Sequence, residues 1–209
     1  SIIGIYKIEI SGSPIEDMPK KAGFFQDIRF FESEFDGIMP VEVVINTHQR
    51  NGVLKPATLK RMDRLDSYIE ETPELSRPVS ALNLVKYSKQ AFYNGNPKYY
   101  QLPTEQEKNF ILAYTKNSGA QSNMLSNFVD STGQYARMTT FMRDIGTEKM
   151  ELIEERIRAK VDKVFPEERF DVTLTGKALV FLKGTNYLVK NLVISLSLAI
   201  LLISIFMAW

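Results

Sequence analysis

The chain has 209 residues, which suits one large domain or a domain plus an appendage and is long enough to bury a core. Its 26 basic and 25 acidic residues leave a formal charge of +1. This balance argues against nucleic acid as a partner, because phosphate binding needs a clustered basic excess. The chain has no cysteine, which excludes disulfides, a thiolate nucleophile and a cysteine metal site.

The opening stretch, residues 1–20, begins with Ser1 rather than Met. It has no basic region followed by an apolar core and a small-residue cleavage site, so it is not a signal peptide. We therefore expect the chain to be a fragment of a longer protein. Residues 1–10 fit either the end of a membrane helix or an ordinary apolar strand.

The first half of the predicted domain contains a strand, a helix and a second strand. Pro40–Asn46 alternates apolar and polar residues, as a half-buried strand does. From Pro56 onward, apolar residues recur at steps of three and four until Thr72-Pro73, which predicts an amphipathic helix. A short extended piece follows at Arg77–Ser80.

The second half repeats this order. Gln134–Arg143 has a period of two, Met150–Val164 carries apolar residues at helical spacing, and Phe170–Thr175 alternates again. Glu154 and Arg158 form an i,i+4 pair on the wet face of that helix. The complete order predicts an α+β domain with the ferredoxin-like split βαβ arrangement.

A long insertion, residues 81–132, separates the two halves and is too long for a structureless loop. Helices are expected at Leu82–Tyr93 and Thr104–Tyr114, with Ser118–Val129 as a third segment. Asn94-Gly95-Asn96-Pro97 breaks the first two apart. Thr104-x-x-Glu107 is a candidate capping box for the second helix.

The insertion is also rich in aromatic residues. Four of them, close together in sequence, are candidates for contact with an apolar substrate: Phe92, Tyr93, Tyr99 and Tyr100. Aromatic surfaces with few polar anchors bind apolar molecules. The alternative, which we favour from the sequence alone, is that these rings pack the inserted helices onto the sheet.

Motifs for catalysis and metal binding are missing from the sequence. The single histidine, His48, lies in a polar turn without ligand-type neighbours, so we expect an exposed residue. The carboxylate pairs are Glu70-Glu71, Glu154-Glu155 and Glu167-Glu168. Adjacent residues on a helix do not face each other, so these pairs are not expected to work as an acid and a base. Neither a phosphate-binding loop nor a nucleophile elbow is present. We therefore expect no enzymatic activity, no metal and no cofactor.

The last nineteen residues, Asn191–Trp209, contain no ionisable side chain. As a helix they reach roughly 28 Å, close to the ~30 Å hydrocarbon core of a bilayer. Twelve of the nineteen are Leu, Ile, Val, Phe or Met, and these favour insertion by about 4 to 7 kcal/mol. The segment is therefore predicted to span a membrane. The lysines that precede it weakly favour a cytoplasmic start by the positive-inside rule.

Two groups of motifs, upstream and at the junction with the apolar tail, carry a resemblance to a known family. The upstream motifs are Phe24-Phe25-x-Asp27-Ile28-Arg29-Phe30-Phe31-Glu32, Phe35-x-Gly37-x-Met39-Pro40-Val41-Glu42, Pro56-x-x-Leu59 and Pro78-Val79-Ser80. The junction motifs are Gly176-x-x-Leu179, Gly184-Thr185-Asn186 and Leu188-Val189-Lys190-Asn191-Leu192. Together they resemble the resistance-nodulation-division (RND) superfamily of exporters, in its MMPL/Patched-like branch, and the resemblance covers essentially the whole chain.

The resemblance implies a domain layout for the chain. Residues 1–20 would be the tail of a preceding membrane helix with a linker, and residues 21–176 the second extracytoplasmic porter domain. A junction helix would cover 177–190, and a membrane helix 191–209. The resemblance places the porter domain on the periplasmic side of a bacterial inner membrane. This is opposite to the cytoplasmic start that the lysines before the span weakly favour.

The resemblance also implies a function and partners. Transport in the family is driven by a proton or ion gradient, and the substrates are hydrophobic molecules or lipids. No proton-relay residue carries over, because the single span has no ionisable residue. The expected partners are the other membrane helices of a longer transporter chain, the lipid bilayer and a hydrophobic substrate. Assembly as a homo-oligomer is kept open. The alternative is a single-pass, membrane-anchored binding or interaction domain.

Overall fold

The computed structural model describes residues 19–107, 110–111 and 124–209. This part of the chain is a mixture of helices with one sheet. The α-helices whose bounds are described are α1 (Gly23–Phe35), α2 (Pro56–Glu70), α3 (Ala81–Phe92), α4 (Thr147–Val164) and α5 (Lys177–Ala208), and a 3₁₀ turn covers Pro97–Tyr99. The strands are β1 (Met39–Asn46), β2 (Val79–Ser80), β3 (Tyr135–Met142) and β4 (Asp171–Thr175).

The four strands form one antiparallel sheet in the order β2-β3-β1-β4. The two central strands pair along their whole length, with Val43 opposite Met138. On its other side β1 pairs with β4, so that Val44 lies opposite Thr173. Strands β1 and β2, which α2 connects, are therefore separated in the sheet by β3. Strands β3 and β4, which α4 connects, are separated by β1.

The core lies on one face of this sheet. Val41, Val43 and Ile45 alternate along β1 with less buried residues, which puts all three on the face that α2 and α4 cover. Both helices present a row of apolar residues to this face, as their sequence spacing predicts. The buried members of these rows are Leu59, Met62, Leu65 and Ile69 on α2, and Met150, Ile153, Ile157, Val161 and Val164 on α4.

The predicted order of elements from Pro40 to Thr175 is confirmed for an α+β domain. Helix α3 begins one residue before the predicted Leu82 and ends one before Tyr93. The predicted Thr104–Glu107 capping box forms: the Thr104 amide donates to Glu107 Oε2 over 2.8 Å, and the Glu107 amide donates to Thr104 Oγ1 over 3.3 Å. Residues 1–18, part of Thr104–Tyr114 and most of Ser118–Val129 lie outside the described residues.

One helix, α1, has no counterpart in the sequence prediction. No residue of α1 is buried within the described part of the chain. The other elements were predicted from the apolar residues that they bury in the core, and α1 buries none. Its C-terminal end joins β1 through Asp36 and Gly37. Gly37 has φ +149°, and a Cβ there would lie 2.8 Å from the carbonyl carbon of Met142. This close approach brings the end of α1 against the end of β3.

Helix α5 runs unbroken across the predicted boundary between a junction helix at 177–190 and a span at 191–209. Its 32 residues correspond to a rod of about 48 Å. It starts beside the first residues of β1, because a Cβ on Gly176 (φ +111°) would lie 2.4 Å from the Pro40 carbonyl oxygen. Ala178, Leu179 and Leu182 are buried in the core of the domain.

Candidate functional site

The apolar half of α5 is the first functional feature. Every residue from Asn191 to Trp209 is exposed. Among the described residues, α5 is the one helix long and apolar enough to cross a membrane, with a mean hydropathy of 2.4 in its most apolar window. The three serines of this half donate their hydroxyl hydrogens to carbonyls one turn earlier, which satisfies them without water.

The second feature is an aromatic cluster at the end of α3. Two consecutive residues in the left-handed region, Asn94 (φ 57°) and Gly95 (φ 77°), end the helix and reverse the chain. The Gly95 amide donates to the Gln90 carbonyl over 2.8 Å. Asn96 then caps the 3₁₀ turn by accepting a hydrogen bond from the Lys98 amide. The 3₁₀ turn is thereby folded back against α3.

This reversal brings three of the four predicted candidates together. The Tyr93 and Tyr99 rings are stacked with centroids 4.1 Å apart and an interplanar angle of 15°. Phe92 meets Tyr93 edge to face at 5.3 Å. The fourth candidate, Tyr100, instead packs against Tyr87 on the other side of the turn, with centroids 4.7 Å apart. We refer to these five residues as the aromatic cluster.

A carboxylate ties the stacked rings to the domain. Glu107 Oε2 accepts a hydrogen bond from the buried Lys89 ammonium at 2.8 Å, and Glu107 Oε1 accepts one from the Tyr93 hydroxyl at 2.7 Å. These bonds, together with one from the Thr104 amide, lower the pKa of Glu107 to about 2, with the Lys89 bond as the largest cause. Glu107 is therefore ionised at every physiological pH, and the bond it accepts raises the pKa of Tyr93.

The other ring pair, Tyr87 and Tyr100, lies beside the interface between α2 and α3. Tyr100 accepts a hydrogen bond from Asn83 Nδ2 at 3.2 Å, and the Lys86 ammonium lies 5.7 Å from the centre of its ring. Lys86 also reaches two carboxylates of α2, Asp63 at 2.5 Å and Asp66 at 3.6 Å. The tyrosine is thus held in place by groups of α3, which are in turn paired with α2.

Asp66 is a buried residue of this interface whose carboxylate is only partly hydrogen-bonded. Burial raises its pKa to about 6, against the lowering effect of Lys86. Its Oδ1 atom has no hydrogen-bond partner among the described residues. A buried carboxylate with an unpaired oxygen is costly when charged. The α2–α3 interface beneath the aromatic cluster is therefore sensitive to the protonation of one side chain.

The cluster combines fixed rings with an exposed rim. Tyr93, Tyr99 and Tyr100 are half-buried, whereas Phe92 and Tyr87 remain 44% and 54% exposed. None of the four candidate residues is among the buried core residues that pack on the sheet. A groove of about 320 Å³ lies between the start of α2 and residues 102–105, and Thr104, which caps Glu107, is part of its lining. Such a surface offers ring faces to an apolar molecule, because the Tyr93 hydroxyl and the Tyr100 oxygen are already bonded within the chain.

Sequence reasoning missed three members of this arrangement. Tyr87 was one of many aromatic residues and nothing in its spacing set it apart. Glu107 was expected as a helix cap, and that role is real, but its bonds to Lys89 and Tyr93 depend on the chain reversal. Lys89 sits 4% exposed, a burial that no local pattern reveals for a lysine.

His48 is exposed, as predicted, in a left-handed conformation of the turn after β1. Within the described ranges, no group of three or more His, Cys, Asp or Glu side chains could hold a metal ion. No protein-family model matches the chain, and no curated protein is significantly similar to it. The candidate functional features of the described residues are the apolar half of α5 and the aromatic cluster.

Proposed function

We propose that this chain is the second extracytoplasmic porter domain, with its following membrane helix, of a gradient-driven RND-type exporter. In this proposal residues 21–176 lie on the periplasmic side of a bacterial inner membrane. They form part of the path taken by hydrophobic or lipid-like substrates. The remaining membrane helices belong to the rest of the transporter, and the energy-coupling acidic residues belong to those helices, because Asn191–Trp209 has none.

The observation that carries this proposal is the continuity of α5. Leu179 and Leu182 are packed in the domain core, and the same helix continues without a break into a stretch that is wholly exposed and apolar. A flexible linker would let the domain move independently of its anchor. A continuous helix makes the domain and the span one body, so that a tilt of the span displaces the domain.

The topology supports the same proposal. The antiparallel order β2-β3-β1-β4, with α2 and α4 on one face, is the arrangement expected of a ferredoxin-like split βαβ domain. The proposed fold of residues 21–176 is therefore the ferredoxin-like one. The long excursion between β2 and β3 then serves as the insertion that carries the aromatic cluster, outside the packed core and available to a substrate.

The test is an export assay with the full-length protein in bacterial cells that lack their main efflux pumps. Nile red, a lipophilic dye, is the probe. We expect cells that express the protein to accumulate less dye than cells with an empty vector, and a protonophore to abolish the difference. Equal accumulation, with the protein present and folded in the membrane, would contradict export of this class of substrate.

One observation favours a second candidate, a single-pass anchored binding domain: the described residues contain one candidate span. The complete reading frame separates the two. An exporter requires further spans on both sides of this region, with acidic residues at mid-membrane depth. A reading frame with no other span would leave the anchored domain as the function.

A further inference from the structure

Helix α1 carries an exposed aromatic ridge. Phe24, Ile28, Phe31 and Phe35 recur at steps of four, three and four, and so lie on one face of the helix. The three phenylalanines of this row are 51%, 55% and 60% exposed. Large apolar side chains in such a row are normally covered by a partner. We call these four residues the α1 ridge.

The ridge is a continuous surface rather than a set of separate side chains. Phe31 and Phe35 are stacked with ring centroids 5.4 Å apart, and Phe30 meets Phe31 edge to face at 6.1 Å. Beside them lies a groove of about 410 Å³, bordered mainly by apolar side chains of the ridge, Ile38 and Phe141. The apolar area therefore extends from the helix to the sheet.

The charges at the C-terminal end of α1 are paired within the chain. Glu32 accepts bonds from Arg29 at 2.8 Å and from the Asp144 amide at 2.7 Å. Asp36 pairs with Arg143. Asp27 and Glu34 lie on the flank of the ridge, where they can stay in water while the ridge itself is covered. Covering the ridge thus leaves no unpaired charge beneath an apolar partner.

The ridge and the membrane helix start from the same end of the sheet. Helix α1 enters β1 at Met39, with Gly37 pressed against Met142, the last residue of β3. Gly176, directly before α5, is pressed against Pro40 and Val41. Both helices are therefore attached within a few residues of the first residue of β1. On the proposed function, α5 leads from this end of the domain into the bilayer, which its apolar half enters at Asn191.

We propose that the α1 ridge docks on the surface of the phospholipid bilayer, so that α1 is an interfacial helix. The inference rests on the membrane crossing of α5 and adds a second, peripheral attachment of the domain. An amphipathic helix with aromatic residues on one face and charged residues on its flanks has the composition that lies at the headgroup boundary. Two attachments at one end of the sheet fix the tilt of the domain on the membrane.

Tryptophan quenching in vesicles tests the proposal with the whole chain. Trp209 is the only tryptophan and reports on the end of the span. The test variant combines Trp209→Phe with Phe31→Trp, and the matched control combines Trp209→Phe with Ser33→Trp on the opposite face of α1. All are reconstituted in phosphatidylcholine vesicles with lipids brominated near the headgroup end of the acyl chains.

The expected result is that Phe31→Trp is quenched by brominated lipid as strongly as Trp209, and is shielded from iodide, while Ser33→Trp is quenched by iodide. Quenching of Phe31→Trp by iodide would overturn the proposal, because the ridge would then face water. Emission shielded from iodide but insensitive to bromination would also overturn it, because another protein surface, such as a second copy or residues 1–18, would cover the ridge. Failure of Trp209 itself to respond to brominated lipid would instead overturn the membrane crossing of α5.

Discussion

The two halves of α5 differ in environment although they belong to one helix. In the first half, Ala178, Leu179 and Leu182 are buried against the sheet and α4. In the second half, residues 191–209 are more apolar still and every one is exposed. Apolar residues in this chain therefore fall into two groups. Some apolar residues find their partners within the domain, and others require a partner outside it.

The same contrast separates other parts of the molecule. The apolar rows on α2 and α4 are buried in the core, whereas the phenylalanines of the α1 ridge and the rim of the aromatic cluster are exposed. Substitutions in the covered set should change the stability of the domain. Substitutions in the exposed set should leave that stability unchanged and alter membrane attachment or transport.

The largest effect is expected inside the domain. Leu182→Ala removes a side chain that is 1% exposed, and we expect it to lower the free energy of unfolding by about 2–5 kcal/mol. Leu198→Ala, at a position 56% exposed in the other half of the helix, is the matched control and should leave domain unfolding unchanged. Denaturant unfolding in detergent micelles measures both. Equal losses in the two variants would break the contrast.

A charge in the exposed half should weaken the membrane attachment of the 209-residue chain. Leu198→Arg lies near the middle of the proposed span, where an arginine costs about 2.5–3.5 kcal/mol of insertion free energy. We expect a larger share of the chain to leave the membrane fraction on alkali extraction. Asn191→Arg is the control, because an arginine at the end of the span can reach the headgroups. If Leu198→Arg remains in the membrane fraction as fully as the control, the helix is covered by protein.

An intermediate effect is expected from Asp66, an ionisable group inside the covered set. Its folded-state pKa of about 6 lies above its ordinary value of 3.8. The folded chain therefore binds the proton more tightly, and this contribution to stability is lost as pH rises from about 4 to about 6. Asp66→Asn should remove this pH dependence, which we expect to be on the order of 1–3 kcal/mol.

Denaturant unfolding between pH 4 and pH 7 measures that pH dependence. Asp63→Asn is the control: it leaves Asp66 in place, so the pH dependence should persist, with a smaller size because the Asp63 charge contributes to the raised pKa of Asp66. An unchanged pH dependence in Asp66→Asn would mean that another group causes it.

The smallest effect on stability is expected at the rim of the aromatic cluster. Phe92→Ala should change the free energy of unfolding by less than about 0.5 kcal/mol, because the side chain is 44% exposed and outside the core. Nile red export by the full-length protein should nevertheless fall. Tyr135→Ala, at an equally exposed aromatic position on β3, should leave export unchanged.

The more deeply held rings of the cluster sharpen this prediction. Tyr93 and Tyr99 are stacked and joined to the Lys89–Glu107 pair, so Tyr93→Ala should lower both stability and export. If Phe92→Ala lowers the melting temperature as strongly as Tyr93→Ala and leaves export per folded molecule unchanged, the cluster serves packing alone.

Sequence patterns predicted a helix or strand correctly where that element buries one face in the core. The alternation along β1 and the helical spacing of Met62, Leu65 and Ile69 predicted both the elements and the side that faces the core. The lack of charge in the last nineteen residues likewise identified α5. Helix α1 was not predicted, since its apolar row has no partner in the domain and its motif was interpreted only as a family resemblance.

The candidate site was predictable only in part, for a geometric reason. The sequence showed that Phe92, Tyr93, Tyr99 and Tyr100 lie near one another along the chain. It did not show that the turn at Asn94 and Gly95 would stack two of them and send Tyr100 towards Tyr87. The Lys89–Glu107 pair joins two segments 18 residues apart, and no local spacing rule links them.

A single cysteine can test the proposed location of the domain, outside the cytoplasm on a membrane helix. The chain has none, so Lys98→Cys, at an exposed position of the 3₁₀ turn, introduces a unique thiol. A membrane-impermeant maleimide is added to bacterial spheroplasts before and after lysis. We expect full labelling of Lys98→Cys before lysis, and labelling that appears only after lysis would contradict the proposed periplasmic location.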